Sequence, residues 1–205
     1  MSEDAAPRLA PVPLEERGEE IRAALVNGYG RRRAEEWCTD PQADPPMPNA
    51  VATMLHHPGL AGPWLAYNNV LFLAPSLEPR WRELMVLRVA WRTRAPYEWV
   101  QHVRLALELG ITSDEIDAIA GLDATPTWTP LEADLLAATD QLVEGHQVDD
   151  ATWARLAATL DARQLVEVVF VVGTYTCLAM VFNSLGLDLD ADLADVPAPP
   201  LPRSR

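Results

Sequence analysis

An all-α protein is what the sequence predicts, on three observations. Apolar residues recur at helical spacing through most of the chain, the β-branched runs sit inside that spacing rather than in strand-like alternation, and the eighteen prolines gather outside the periodic windows. They crowd the N-terminal stretch, residues 41–48 and the C-terminal stretch, leaving long helix-compatible segments between. A chain of 205 residues suits one domain with a well-buried core, and an apolar share of 49% excludes disorder throughout. The expected organisation is a disordered tail over residues 1–12, a single helical domain over 13–190 and a proline-rich tail over 191–205.

Each element has a local cause. Residues 14–27 read as an amphipathic helix with an acidic outer face, and 31–48 as irregular and proline-rich. Asn49 is a plausible N-cap for a short helix over 49–57, and Pro58 opens the next, to about residue 72. Residues 75–79 break the chain. The stretch 80–92 is helical and apolar on most sides. Ala95-Pro96 interrupts it, and a helix over 97–109 follows, stopped by Gly110. Thr112 with Glu115 is a capping box for a short helix ending at Gly121. Thr129-Pro130-x-Glu132 is a second, with proline at the first helical position. Asp149 or Asp150 caps a helix through Leu160, and Asp161 with Gln164 starts a long last helix closed by Gly186. The expectation is seven to nine helices, with no fixed-period repeat.

Charge and composition exclude several functions. A formal charge of −14 opposes binding to nucleic acid or to an anionic membrane, since both need excess Lys and Arg. All sixteen basic residues are arginine, so lysine Schiff-base chemistry is excluded. Cys38 and Cys177 lie far apart and form no CxxC, metal-ligand spacing or disulfide framework, which fits a cytoplasmic location. The acidic N-terminus has no apolar run of signal-peptide type. Residues 165–182 are the most apolar window, but Glu167 and Gly173 within it favour a buried helix over a membrane span. No cofactor and no metal site is expected.

The candidate chemistry lies in the middle of the chain. On the helix 97–109, Glu98, His102, Leu105, Ala106 and Leu109 share one face, so Glu98 and His102 are adjacent and withdrawn from water. An imidazole beside a carboxylate in such a place is equipped to move a proton to or from carbon. The same spacing also fits a purely structural core pair. Glu83 lies on an apolar stripe with Leu87 and Ala90, and a buried carboxylate needs a partner. The turn at Ala95-Pro96 could bring it to His102, or it could pair with Arg88 or an arginine of another helix.

Residues 78–104 hold six arginines against three acids. That local excess suits a small anionic organic ligand, or equally salt bridges between subunits of an oligomer. Trp91, Tyr97 and Trp99 are either pocket walls or core filling. Tyr97 could give its hydroxyl to a developing enolate oxygen. His56 and His57 point about 100° apart and suit a helix cap better than a metal. His146 lies in a polar stretch, and Tyr175-x-Cys177 is placed to line the same cavity as His102.

The stretch Arg82-Glu-Leu-Met-Val-Leu-Arg-Val-Ala-Trp91, followed by Tyr97-Glu-Trp-Val-Gln-His102, resembles the core of the carboxymuconolactone decarboxylase family, which includes the alkylhydroperoxidase-D-like proteins. Asp161-Ala-Arg-Gln-Leu-Val-Glu167 and Leu178-Ala-Met-Val-Phe-Asn-Ser-Leu-Gly186 are similar to its final helix, and the resemblance spans about residues 45–190. It implies an all-helical fold assembling as a dimer, trimer or hexamer, with active sites near subunit contacts. In the peroxidase branch a Glu, a CxxC and a His form the working unit. Glu83 and His102 match its ends, while Ala95 and Glu98 stand where the cysteines would be, which opposes a dithiol cycle.

The decarboxylase branch needs no cofactor and uses a His with carboxylates and an arginine. The resulting expectation is a cofactor-independent lyase or isomerase for a small unsaturated carboxylic acid or lactone. His102, Glu98 and Glu83 would be catalytic; Tyr97, Arg88, Trp91 and Trp99 would bind substrate. The alternatives are an alkylhydroperoxidase-like antioxidant protein and a non-catalytic helical module.

Overall fold

A computed structural model describes residues 6–122 and 124–201. Among them are nine α-helices and no strand, and the contacts divide the chain into two compact units. One is built from residues 6–74 with Leu185–Asp190, the other from Pro75–Ser184 with the chain from Ala191 onward.

The first unit holds α1 (Glu19–Thr39), α2 (Asn49–Met54) and α3 (Pro58–Leu73). Helix α1 runs well past residue 27, through a stretch expected to be irregular. Its prolines begin only at position 41, and Ala34, Trp37 and Cys38 face inward at helical spacing. Gly30, at φ 76°, supplies the kink between the two halves. Gly28 lets α3 come close, because a Cβ there would lie 2.8 Å from that of Leu65. Ile21, Leu25, Trp37, Val51, Leu55 and Leu65 close the core, and the Trp37 indole donates to the Pro45 carbonyl at 2.9 Å.

Asn49 is the first residue of α2 rather than its cap. Its backbone N–H donates to the Asp190 carboxylate at 2.7 Å, so a side chain distant in sequence does the capping. His57 caps the start of α3, its Nδ1 accepting from the Leu60 N–H at 3.1 Å, and His56 bonds the Ala10 carbonyl at 2.9 Å. The described part of the expected N-terminal tail is held in place: Val12 is buried and donates its N–H to the Ala52 carbonyl. Residues 1–5 of that expectation lie outside the described residues.

The second unit holds α4 (Pro79–Thr93), α5 (Pro96–Glu108), α6 (Ser113–Ile119), α7 (Pro130–Gly145), α8 (Asp150–Ala157) and α9 (Ala162–Leu185). Helix α4 is its axis. Eight of its residues, from Arg82 to Ala90, are buried, as an all-round apolar helix must be. Arg94, in the left-handed conformation, ends it, and Pro96 opens α5 at once. Both capping boxes form, at Thr112 with Glu115 and at Thr129 with Glu132. Arg80 then joins both boxes, bonding Glu115 at 2.5 Å and Glu132 at 2.7 Å, which fixes the starts of α6 and α7 against the start of α4.

The inward side of α5 is centred on Trp99, His102, Val103 and Ala106. Leu109, expected on that face, is 43% exposed because it lies at the fraying end beyond the last helical turn. Helix α9 is long and apolar enough to cross a membrane by length and composition, and half of its apolar window is buried inside the fold. Its Glu167 caps the chain break before α4, accepting from the N–H groups of Ser76 at 2.7 Å and Leu77 at 3.3 Å.

The described part of the C-terminal stretch is packed as well, where an extended tail was expected. Leu193 is 1% exposed, and Val196, Ala198 and Leu201 lie on the core of the second unit. Trp99 donates its indole N–H to the Pro199 carbonyl at 2.8 Å. Proline-rich chain can dock this way because it has little backbone entropy to lose. Residues 202–205 lie outside the described residues. Leu193→Ala should therefore lower the unfolding free energy by about 2–5 kcal/mol, the range for a buried Leu truncation. Denaturant titration checks this; an unchanged midpoint would mean that the segment is a free tail.

Candidate functional site

The turn after α4 folds α5 back along it and brings Glu83 to His102. Their atoms Oε2 and Nδ1 are 2.6 Å apart, a charge-assisted hydrogen bond. Glu83 is fully buried and His102 is 7% exposed. The second carboxylate oxygen of Glu83 accepts from Arg82 Nε at 3.0 Å. Burial alone would raise the Glu83 carboxyl, but His102 and Arg82 outweigh it and hold the group below the ordinary range. An ionised carboxylate can only accept, so the bond places the imidazole proton on Nδ1. The lone pair is then on Nε2, which makes no hydrogen bond among the described residues.

Tyr175 of α9 completes the inner wall. Its ring stands edge-on to the imidazole, with centroids 4.9 Å apart and planes at 89°. Its hydroxyl is pushed far above the usual phenol range, first by burial and then by the neighbouring carboxyl groups, Glu83 foremost. It therefore stays neutral at any working pH.

Glu98 lies one turn before His102 on α5. It is 1% exposed, and neither carboxyl oxygen has a hydrogen-bond partner. Burial without a compensating cation raises its carboxyl well above the ordinary value, so the neutral form is favoured. Two carboxyls within one cluster are thus driven in opposite directions by their surroundings, a pattern that separates acid from base.

The four proposed substrate contacts have other partners. Arg88 grips Asp140 of α7 with two bonds of 2.7 and 2.8 Å and donates to the Ile119 carbonyl at 2.8 Å. It lines a groove of about 330 Å³ with Trp128, Leu136 and Asp140, and none of its bonds goes to Glu83 or His102. Trp99 is buried with its indole bonded to Pro199, and Trp91 packs on it with ring centroids 5.3 Å apart. Tyr97 is 5% exposed and packs edge-on against Phe182 at 5.4 Å. These aromatics fill the core.

The arginine excess has an internal explanation. Arg80 pairs with Glu115 and Glu132, Arg82 with Glu83, Arg88 with Asp140, Arg92 with Glu144, and Arg104 with Asp192 at 2.6 Å. The partners come mostly from α6, α7 and the C-terminal stretch, beyond the window in which the excess was counted. Arg94 stands exposed at the end of α4. Cys38 is buried, Cys177 is exposed, and both are free. Among the described residues no group of three His, Cys, Asp or Glu could hold a metal.

Two members of the cluster escaped the helical wheel. Arg82 neighbours Glu83 in sequence, and a helical wheel does not put adjacent residues on one face. Tyr175 was placed near the cavity but without a role; an aromatic hydroxyl among Val and Leu was its one signal.

The opposed carboxyls make a pH prediction. Glu98 binds its proton more tightly in the folded state, so folding stability should fall as pH rises above the ordinary carboxyl value of 4.5. Glu83, held low, stabilises the fold above that value, and its contribution is lost as pH falls through its depressed folded value. The melting temperature of Glu98→Gln should therefore exceed that of the wild type by a margin that widens between pH 4.5 and neutrality. A constant or narrowing margin across that window would show Glu98 to be ionised.

Residues 58–141 match the carboxymuconolactone decarboxylase family. No curated protein matches the chain in sequence. Solved structures do match in fold. An uncharacterized peroxidase-related protein from Silicibacter sp. TM1040 has a TM-score of 0.74 at 14% identity, over 95% of this chain and 98% of that one. The alkylhydroperoxidase AhpD core protein from Ralstonia eutropha JMP134, an uncharacterized peroxidase-related protein, gives 0.70 at 17% identity, over 92% and 96%. The debrominase Bmp8, in complex with 2,3,4-tribromopyrrole, gives 0.66 at 12% identity, over 94% and 96%. At such identities the likeness speaks for the fold alone. The match to the carboxymuconolactone decarboxylase family thus covers residues 58–141, and the all-helical fold is that of the alkylhydroperoxidase AhpD core protein and the other peroxidase-related neighbour.

Proposed function

We propose that the chain is a cofactor-independent lyase or isomerase that moves a proton at carbon in a small unsaturated acid or lactone. The observation that carries this reading is the 2.6 Å bond from His102 Nδ1 to a buried, ionised Glu83, which leaves Nε2 as an unbonded base. Glu83 fixes the tautomer and stabilises the imidazolium that forms when Nε2 takes a proton, while Arg82 keeps the carboxylate ionised. Tyr175 holds the ring plane from the other side. The family match supports the reading, since residues 58–141 include Glu83, Glu98 and His102.

The peroxidase-related neighbours favour a second reading, antioxidant chemistry on the same relay. Its thiol step has little support here. Cys38 and Cys177 are unpaired, and burial raises the Cys38 thiol, which lowers its thiolate fraction. In the third reading the Glu–His pair is structural only.

His102→Gln separates these. Gln can still donate to Glu83 but has no base lone pair on nitrogen. The account expects proton exchange with solvent, followed by NMR on a panel of unsaturated acids and lactones, to fall at least ~100-fold with the helical fold retained. Undiminished turnover sinks the proposal.

A further inference from the structure

Glu98 is the buried group that a Glu–His base leaves unexplained. Neither of its oxygens has a partner, although a buried polar group left unpaired is costly and seldom persists without a role. It shares the site with Glu83, bonded by Arg82 and His102, with His102, bonded through Nδ1, and with Tyr175, whose ring packs edge-on to the imidazole. It also occupies the same helix as the free Nε2, one turn away, so one small molecule could meet both.

The charge of the cluster decides what that molecule is. Glu83 and Arg82 cancel as a buried ion pair, and neither Tyr175 nor the unpartnered Glu98 adds a charge. The other arginines of α4 and α5 that form ion pairs are held by Glu115, Glu132, Asp140, Glu144 and Asp192. A carboxylate brought to Nε2 would lose its hydration beside ionised Glu83 and find no cation released to meet it. An uncharged carbonyl loses far less on entry, and it accepts the one kind of hydrogen bond that a neutral carboxyl can offer.

We propose that Glu98 is the hydrogen-bond donor to a substrate carbonyl oxygen, and that the site takes an uncharged lactone or enone in preference to a free carboxylate. The proposal rests on the proton-transfer reading given above and narrows its substrate. His102 Nε2 takes a proton from the carbon next to the carbonyl. The C–H electron pair becomes the new C=C bond, and the carbonyl π pair moves onto oxygen, where the Glu98 O–H bonds it without transfer. The imidazolium returns the same proton at the far carbon of the dienolate. The sum is a 1,3-proton shift that consumes no oxidant, reductant or co-reactant.

The test uses the full chain and two probe series of similar size: α-angelica lactone and cyclopentenone, against levulinate and crotonate. Infrared difference spectra of wild type minus Glu98→Gln at neutral pH should contain the C=O stretch of a protonated carboxyl. The uncharged probes should raise the melting temperature more than the acids do. Isomerisation of the lactone should survive Glu98→Gln within about tenfold, because the amide N–H still donates, and fall at least ~100-fold in the apolar, donorless Glu98→Leu.

A missing carboxyl band, stronger shifts from the acids or no shift from either series overturns the proposal. So does equal isomerisation by the Gln and Leu variants. Should His102→Gln leave turnover intact while the band and the lactone preference persist, the proton-transfer reading fails and the assignment of Glu98 as donor stands.

Discussion

The hydrogen bond between Glu83 and His102 sets terms that much of the second unit meets. It places an ionised carboxylate on a helix whose buried residues, Arg82 apart, are otherwise Leu, Met, Val and Ala, and a bare charge there would cost several kcal/mol. Arg82 neutralises it, the imidazole N–H satisfies its second oxygen, and the α4–α5 turn holds the two helices in register. Left-handed Arg94 and the proline that follows at position 96 make that turn short enough for residues 83 and 102 to meet. The chemistry ascribed to His102 follows from the same bond, since the tautomer that protects Glu83 is the one that leaves Nε2 basic.

The arginines show how a charge pattern can mislead when counted over a window. Six arginines in residues 78–104 suggested a landing site for an anion, yet acids from α6, α7 and the C-terminal stretch take up most of them. They bind the helices that surround α4 to it. What remains at the cluster is a pair of carboxyls in contrasting states: Glu83 with a bond to each oxygen, from Arg82 and from His102, and Glu98 with none. The contrast comes from surroundings alone, as both are buried glutamates one helix apart.

Much of the fold was legible because its signals are local. The capping boxes at Thr112 and Thr129, the prolines at the first turns of α3, α4, α5 and α7, and the stops at Gly110, Gly121 and Gly186 all act within a few residues. The second half of α1 was missed because nearby prolines outweighed a weak inward face at Ala34, Trp37 and Cys38. Both terminal stretches were misjudged because Val12, Leu193 and Pro199 gain their partners from residues far away in sequence. The Glu83–His102 approach was legible as one of several options, since the wheel gave each residue its face and the turn gave the direction. That Arg82 was the partner, and that Arg88 was not, depended on side-chain reach across helices.

The proposed chemistry depends on the protonation of one ring. Nitrogen-15 NMR of the imidazole of His102, assigned by comparison with His102→Gln, tests it most directly at neutral pH. The account predicts a protonated Nδ1, with its proton shifted by a short bond to carboxylate, and an unprotonated, basic Nε2. A proton on Nε2 instead, with Nδ1 bare against a neutral Glu83, would contradict it and leave the site without its base.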